Sequence, residues 1–327
     1  MSTFPLLRLP SLAIEAVFKF FRTFDVMNFS RVSRNSRCIA IYYCEWRKLS
    51  LRIYAQEYLM IRMESWDPFE YAISMDVESD GRRERYWESS VSEKEHPHRE
   101  CVYSETPLEK LKELTTEIMQ IFRCSIQVVE INTNNSDVYK MVDWLKSVSN
   151  TFEKCLIVDD ENNSEALEYI LENIKPAKRL FLWADNHTDR VIEKIPKNLK
   201  YTSLWKCTLG QLKKLEGEEI ILTRNRLSLE DVITFLKSWL AMESHLNLKA
   251  FETVITSVDQ VDTILRDIPH EVADLAKVQN RAWDAENLIG AYDITRDDGT
   301  IATVYTKTEG GAMFGLYVPP REEVDES

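Results

Sequence analysis

The chain has 327 residues, of which 44% are hydrophobic and 29% are charged, with only eight glycines and ten prolines. This balance is typical of a globular protein and excludes collagen-like and low-complexity classes. The formal net charge of −13 argues against general binding to nucleic acid or to an anionic membrane surface.

Residues 1–48 have a helical pattern that is dense in apolar residues. Pro10 and Ser11 can begin the first helix, because proline is tolerated in a first turn. The following run, VMNFSRVSRNSRCIAIYYCEW, predicts two further short helices. A unit of about 45 residues is near the lower limit of what folds alone. Part of its apolar surface is therefore expected to be buried against another part of the chain or against a partner.

Charged residues interrupt this apolar segment. Arg8, Glu15, Lys19 and Arg22 leave neither the core of a secretory signal nor the roughly 20 apolar residues of a membrane span. The sequence therefore predicts an intracellular protein, in the cytoplasm, the nucleus or both, with no membrane partner.

Residues 49–107 are predicted to form a small β meander and a polar linker. SLRIYAQEYLMIRM and FEYAISMDV are alternating or β-rich, and ESDGRRERYW adds a turn signal and a possible further strand. Residues 88–107 are polar, aperiodic and interrupted by proline, which indicates a loop or a poorly ordered linker.

Residues 108–255 contain a degenerate repeat in which short β-type runs alternate with helical patterns. The β-type runs are SIQVVEIN, KCLIVDD, KRLFLWAD, LKYTSLWK, EEIILTRN and LNLKAFET. Their starts lie about 19 to 29 residues apart, which is the period range of leucine-rich repeats, and stacked units of this kind leave one concave strand surface. A doubly wound open sheet is the alternative, but no glycine-rich loop follows any of these short strands.

Residues 256–327 are predicted to form a helix and an antiparallel cap on the last repeat. SVDQVDTILRDIPHEVADL has a helical pattern, whereas NLIGAYDITRDDGTIATVYT predicts a hairpin and EGGAMFGLYV a third strand. PPREEVDES is predicted to be an acidic tail. The expected fold is thus α+β or α/β, with three helices, leucine-rich-repeat-like β–α units and a C-terminal sheet.

Residues that commonly carry catalysis or bind metals form no recognised pattern. The six cysteines contain no CxxC pair, which predicts buried thiols in a reducing compartment, without a disulfide framework or zinc site. His96, His98 and Cys101 loosely imitate a ligand cluster, but solvated linker side chains are the simpler interpretation. No nucleotide-binding, serine-hydrolase or zinc-protease motif is present. The sequence predicts a non-catalytic protein without cofactor or metal; an enzyme with its site at the strand ends is the weaker alternative.

The segment LPSLAIEAVFKFFRTFDVMNFSRVSRNSR resembles an F-box without gaps. Leu9-Pro10 fits the opening Leu-Pro of that motif, Asp25-Val26 fits its Asp-Leu, and Val32-Ser33 fits its Val-Ser. The phrases FPLLRLP, AKRLFLWADNHTDRVIEKIPKNLKYTSLWK and LIGAYDITRDDGTIATV resemble nematode-type F-box proteins with a type-two F-box-associated domain. The resemblance covers nearly the whole chain.

This resemblance implies a substrate-recognition subunit of an SCF-type cullin–RING ubiquitin ligase. The F-box, residues 1–48, would bind a Skp-type adaptor, and the repeat surface at 108–255 would bind a protein target. Apolar helical anchors suit a partner's groove. The predicted adaptor contacts are Leu9, Pro10, Ile14, Val17, Phe18, Phe21, Val26, Phe29 and Val32. The alternative is that these residues belong to the chain's own core, in which the three helices pack on the meander.

Aromatic and charged residues near the strand ends are the candidate target contacts. Aromatic residues suit recognition, although packing between neighbouring repeats would explain them equally well. The candidates are Asp159, Trp183, Asp185, Trp205, Arg224 and Arg226. Trp239 lies in a helical run and is predicted to belong to the core.

The F-box-like segment departs from the usual pattern at two places. Leu12 stands where an acidic residue is usual, and Asn35 and Ser36 occupy the place of a common tryptophan. These departures are expected to weaken or retune adaptor binding. They leave open a second function, that of an interaction scaffold or sequestering protein without ubiquitination.

Overall fold

The computed structural model describes residues 8–44, 47–56, 59–65, 69–74, 98–224, 227–273, 288–308 and 311–319. Helices and mixed β-sheet divide between two units, residues 1–144 and 145–327, which gives an α+β fold. The predictions made for ESDGRRERYW, residues 88–97, Arg226 and the acidic tail at 320–327 lie outside the described residues.

The first unit begins with three helices, as predicted. They are α1 (Ser11–Phe20), α2 (Thr23–Ser30) and α3 (Arg34–Cys44). Side chains fix two of the helix starts: the Asp25 carboxylate accepts the Arg22 backbone N–H at 3.1 Å, and Ser33 Oγ accepts the Ser36 N–H at 3.1 Å. These bonds satisfy backbone donors that an α-helix leaves without an intrahelical partner.

The meander of the first unit has a parallel strand at each side. β1 (Ser50–Ala55), β2 (Leu59–Glu64) and β3 (Phe69–Ser74) are antiparallel neighbours. β4 (His98–Tyr103) pairs parallel with β3, and β5 (Ile126–Asn132) pairs parallel with β1. The prediction of a linker through residue 107 is therefore wrong at β4. Backbone pairing with a strand far away in the sequence makes this polar segment a strand, and local polarity does not reveal such pairing.

Helix α4 (Pro107–Phe122) was not predicted. It begins with proline in the first turn and ends before Arg123, whose φ of 48° is left-handed. Its buried residues recur at helical spacing and include Leu111, Leu114 and Ile118. Helix α5 (Val138–Val148) follows β5 in the chain.

The second unit contains a parallel array that confirms the predicted alternation of strand and helix. The strands, neighbours in chain order, are β6 (Thr151–Asp159), β7 (Lys175–Ala184), β8 (Leu199–Leu204), β9 (Gly217–Leu222) and β10 (Ala250–Ile255). The connecting helices are α6 (Ser164–Asn173), α7 (Asp189–Glu193), α8 (Leu209–Leu212) and α9 (Leu229–Leu240). With four residues, α8 is too short to give a helical period, so the sequence did not predict it.

Alternate residues of these strands point to opposite faces of the sheet. Leu180, Leu182 and Leu204 lie on the inner face and are fully buried. Phe251 shares this face and meets Phe235 of α9, with ring centroids 4.4 Å apart. The core of the second unit therefore lies between the inner face and the helices, which leaves an outer face on the other side of the strands.

The C-terminal segment of the second unit continues the sheet with antiparallel strands. After α10 (Gln260–Leu265) come β11 (His270–Val272), β12 (Leu288–Thr295), β13 (Ile301–Thr308) and β14 (Ala312–Tyr317). The order β11-β12-β13-β14-β10 confirms the predicted hairpin and third strand. The helix predicted through residue 275 is wrong beyond Leu265, because Pro269 cannot continue a helix and β11 follows it.

Gly315 lies directly beneath the ring of Tyr305 on the neighbouring strand. A Cβ at this position would lie 2.1 Å from the tyrosine ring. Tyr305 cannot easily move away, because it is buried and donates a hydrogen bond to Glu252, which also pairs with Lys307 at 3.0 Å. The site therefore requires glycine.

We expect Gly315→Ala to lower the free energy of unfolding of the second unit by about 3 kcal/mol, the upper range for overpacking a closed core. Urea or thermal unfolding of the variant measures this loss. Gly210→Ala is the matched control, because a Cβ there would approach only Thr208 Oγ1, at 4.0 Å. Equal losses for the two variants would contradict the expected clash.

Candidate functional site: the N-terminal helices and the outer face of the parallel strands

Helix α1 carries apolar residues on two opposite sides. Ile14 and Phe18 point inward and are 7% and 0% exposed, whereas Leu12 and Phe20 are 78% and 86% exposed. Ala16, between Leu12 and Phe20 in the same row, is also exposed. Residues four apart share one face of a helix. Leu12, Ala16 and Phe20 therefore form one apolar strip, here called the outer stripe of α1.

Aromatic rings fill the inside of the three-helix segment. The Phe18 ring lies 5.1 Å from Phe21, 5.4 Å from Phe29 and 5.5 Å from Tyr43, and Val26 is fully buried. The prediction of Ile14, Phe18 and Val26 as adaptor contacts is therefore wrong. They lack exposed surface because they pack into the core of their own unit.

The other predicted adaptor contacts keep some accessible surface. Leu9, Val17, Phe21 and Phe29 are half-buried, Pro10 is exposed and Val32 is 74% exposed. Four exposed residues were not among the predicted adaptor contacts: Leu12, Ala16, Phe20 and Tyr42, the last of which is 71% exposed. The spacing 12, 16, 20 was the signal that could have identified the outer stripe.

A buried arginine fixes the end of α1. One terminal nitrogen of Arg47 donates to the Phe18 carbonyl at 2.8 Å and also to the Phe21 carbonyl. The last carbonyls of a helix lack intrahelical partners, and a charged donor is a strong replacement. Arg47 thereby holds the turn that carries Phe20.

Helix α4 supports the three helices from within the same unit. The Arg31 guanidinium makes two hydrogen bonds to the Glu117 carboxylate, at 3.1 and 2.8 Å, and Arg37 donates to Gln120 at 2.7 Å. Arg31 also lies 5.7 Å from the ring centroid of Tyr71. The bond to Glu117 raises the pKa of Arg31, and burial raises the pKa of Tyr71 to about 12. The helices are thus tied to α4 by charged hydrogen bonds and not only by apolar packing.

The residues that depart from the F-box pattern occupy different environments. Leu12 and Asn35 are exposed. Ser36 is buried and its hydroxyl lies 2.8 Å from that of Ser33, so it contributes to the start of α3. Only Leu12 adds apolar area to the exposed side of α1.

In the second unit, two tryptophans stack where β7 and β8 end. The Trp183 and Trp205 rings are nearly parallel, at 10°, with centroids 5.8 Å apart. The Arg224 guanidinium carbon lies 3.9 Å from the Trp205 ring centroid. Both indoles are half-buried and Arg224 is exposed, so this stack of three predicted residues borders the surface.

The predicted acidic residues play different parts. Asp185 is half-buried and pairs with Lys206 at 3.1 Å, close to the tryptophans in sequence. Asp159 is fully buried, and its carboxylate accepts the Asn163 N–H at 2.8 Å. Asp159 therefore stabilises the turn before α6, and its prediction as a target contact is corrected.

Two further aromatic residues extend the tryptophan pair along the outer face. Phe181 and Tyr201 have ring centroids 5.0 Å apart, and the Lys154 ammonium lies 4.4 Å from the Phe181 centroid. Phe181, Trp183, Tyr201 and Trp205, here called the aromatic stripe, are all half-buried. Phe181 and Tyr201 were not among the predicted target contacts, although the two-residue period of a strand places them on the same face as the tryptophans.

Trp239, by contrast, is fully buried in the core, as predicted. Burial raises the thiol pKa of both Cys155 and Cys207 to about 12, which makes these cysteines unreactive at neutral pH. Among the described residues, no group of three or more His, Cys, Asp or Glu side chains could hold a metal ion. No helix in the described ranges has the length and apolarity that crossing a membrane requires.

Family models match both regions. Residues 6–48 match the F-box domain, and residues 191–253 match a domain described as F-box associated. The first match contains α1, α2 and α3, and the second runs from within α7 to within β10 and includes Trp205 and Arg224. A search of curated proteins found no match to the chain. The chain is therefore an F-box protein that carries a type-two F-box-associated domain.

Proposed function

We propose that this protein is a non-catalytic substrate-recognition subunit of an SCF-type cullin–RING ubiquitin ligase. F-box and F-box-associated domains are typical of such subunits. The observation that carries the proposal is the outer stripe of α1, with Leu12 and Phe20 almost fully exposed on a helix that already has a buried side. The stripe would dock on a Skp-type adaptor.

Physical chemistry supports an interface at this stripe. A helix whose apolar anchors lie at i, i+4 and i+8 suits a hydrophobic groove. Exposed apolar groups that are clustered on one face mark interaction sites more often than scattered ones do. Pro10 and Val32, which are exposed residues of the same three-helix segment, are further candidate contacts. Arg47 and the ties to α4 hold the stripe in place before a partner arrives, which reduces the entropy lost on binding.

The second half of the proposal concerns the target. We propose that the parallel strands β6 to β10 act as a leucine-rich-repeat-like stack whose last strand is capped by the C-terminal antiparallel strands. The outer face of the stack would hold a protein target. Binding adaptor and target on one chain raises the effective concentration of target lysines near the ubiquitin-conjugating partner, so the subunit itself needs no catalytic residue.

Co-expression with a Skp-type adaptor tests the adaptor half. We expect the full chain to elute with the adaptor from a size-exclusion column as a one-to-one complex at micromolar concentration. Elution of a folded chain apart from the adaptor would contradict the proposal. It would favour the second candidate, a scaffold or sequestering function. The exposed Leu12 supports this candidate because it stands where an F-box usually has an acidic residue.

A further inference from the structure

The aromatic stripe has positively charged groups at both of its ends. Lys154 and Arg179 are register partners on β6 and β7, and Arg179 is in turn opposite Tyr201 on β8. At the other end, Arg224 covers Trp205. Lys206 lies beside Asp185, and that pair is close to neutral as a whole. Two further acids lie beside the stripe. Glu219 is buried and opposite Tyr201, and Glu252 of β10 is buried and neutralised by its ion pair with Lys307.

This local excess of cations contrasts with the net charge of −13 for the whole chain. In an acidic protein, a surface that combines exposed cations with half-buried aromatic rings is complementary to an anionic ligand that also has an apolar group. The two cationic ends lie about four residues apart along the strands, which is roughly 13 Å at about 3.3 Å per residue.

We infer that the outer face binds an extended acidic peptide segment of the target, in which two anionic residues flank an apolar or aromatic one. In an extended peptide, residues i, i+2 and i+4 point to the same side, and about four residues span 13 Å. The first anionic group would pair with Arg179, and the second would pair with Arg224. The apolar residue between them would pack against Trp183 and Trp205.

This inference rests on the proposed target-binding function and gives it a substrate class. Its anionic groups could be carboxylates or phosphates, since both accept hydrogen bonds from guanidinium and ammonium groups. Single-stranded nucleic acid also binds surfaces that combine aromatic and basic groups. The acidic character of the chain disfavours that ligand, because binding to a polyanion depends on net attraction to phosphates.

Fluorescence anisotropy with labelled peptides tests the inference on the full chain. The first probe has glutamate at the first and fifth positions of its motif and phenylalanine at the third; the second replaces both glutamates with phosphoserine. Comparison of these two probes identifies the anion that is preferred. The third probe has lysine at both positions, and the fourth is an oligodeoxythymidine. We expect saturable binding of at least one anionic peptide and none of the lysine peptide.

Charge reversal at exposed positions supplies the decisive comparison. Arg179→Glu and Arg224→Glu should each weaken the binding of the anionic peptide by about tenfold or more. A peptide with lysine at the position that faces the reversed charge should recover part of the lost affinity. Arg190→Glu is the matched control, because Arg190 is an exposed arginine of α7, away from the stripe. Unchanged circular dichroism and melting temperature would show that the variants fold.

Several results would overturn the inference. These are equal binding of acidic and basic peptides, no binding of either anionic peptide, affinity unchanged in both charge-reversal variants, or tighter binding of the oligonucleotide than of the peptides. None of them depends on the adaptor. If the chain co-elutes with the adaptor but binds neither anionic peptide, the proposed ligase function stands and the acidic-peptide inference fails. If the chain binds an anionic peptide but not the adaptor, the peptide site stands and the proposed ligase function fails.

Discussion

The double substitution Leu12→Asp, Phe20→Asp is expected to abolish binding to a Skp-type adaptor while the chain stays folded. Burial of a leucine or phenylalanine side chain contributes about 1.5–3 kcal/mol, so loss of both corresponds to roughly a hundredfold or more in affinity. Two aspartates would add the cost of placing unpaired charges in an apolar interface. Both residues are almost fully exposed, so the fold should lose little.

Isothermal titration of purified adaptor into each variant would measure this loss. Val272→Asp is the matched control, because Val272 is 84% exposed and lies on β11 of the other unit. The control should bind the adaptor as the wild type does. If the double variant also binds with wild-type affinity, the outer stripe of α1 is not the interface, and the proposed docking site fails.

The sequence predicted α1 but could not determine which of its sides is buried. Its apolar residues occur at two helical spacings, Ile14 with Phe18 and Leu12 with Phe20. A helix that is apolar on both sides gives no amphipathic contrast, so the pattern alone does not assign a core face. The structure makes the assignment through Phe21, Phe29 and Tyr43, which surround Phe18 and belong in part to other helices.

Most elements with a strong local signal were predicted, with α4 as the exception, whereas β4, which depends on a distant partner, was not. The parallel strands β6 to β10 and the hairpin around Gly299 follow from β-rich runs and a turn sequence. β4 is polar and becomes a strand through its pairing with β3, which no local window contains. Local propensity is a weak guide where tertiary pairing decides the outcome.

The target surface shows the same limit at the level of side chains. Trp183, Trp205 and Arg224 were selected because they lie near strand ends, and the structure brings them into one stack. Asp159 was selected for the same reason, yet its carboxylate turns inward to accept a backbone N–H. Position after a strand therefore locates the edge of the sheet, but it does not determine which side chains face solvent.

Phe18→Ala is expected to lower the free energy of unfolding of the three-helix segment by about 3–5 kcal/mol, the range for truncating a buried phenylalanine. Phe18 is fully buried and touches three other aromatic rings, so its loss leaves a cavity. Phe20→Ala is the matched comparison, two residues away on the same helix. Since Phe20 is 86% exposed, its truncation should change this free energy by no more than about 0.5 kcal/mol.

Amide hydrogen exchange of α1, α2 and α3 would measure these losses segment by segment. We expect much faster exchange for Phe18→Ala and nearly unchanged exchange for Phe20→Ala; equal rates in the two variants would contradict the assignment of core and surface. A partner that binds only the folded state raises its stability by mass action. Excess adaptor should therefore restore part of the protection in Phe18→Ala, whose outer stripe is intact. It should leave exchange in the Leu12→Asp, Phe20→Asp variant unchanged, because that variant is expected to be folded but unable to bind.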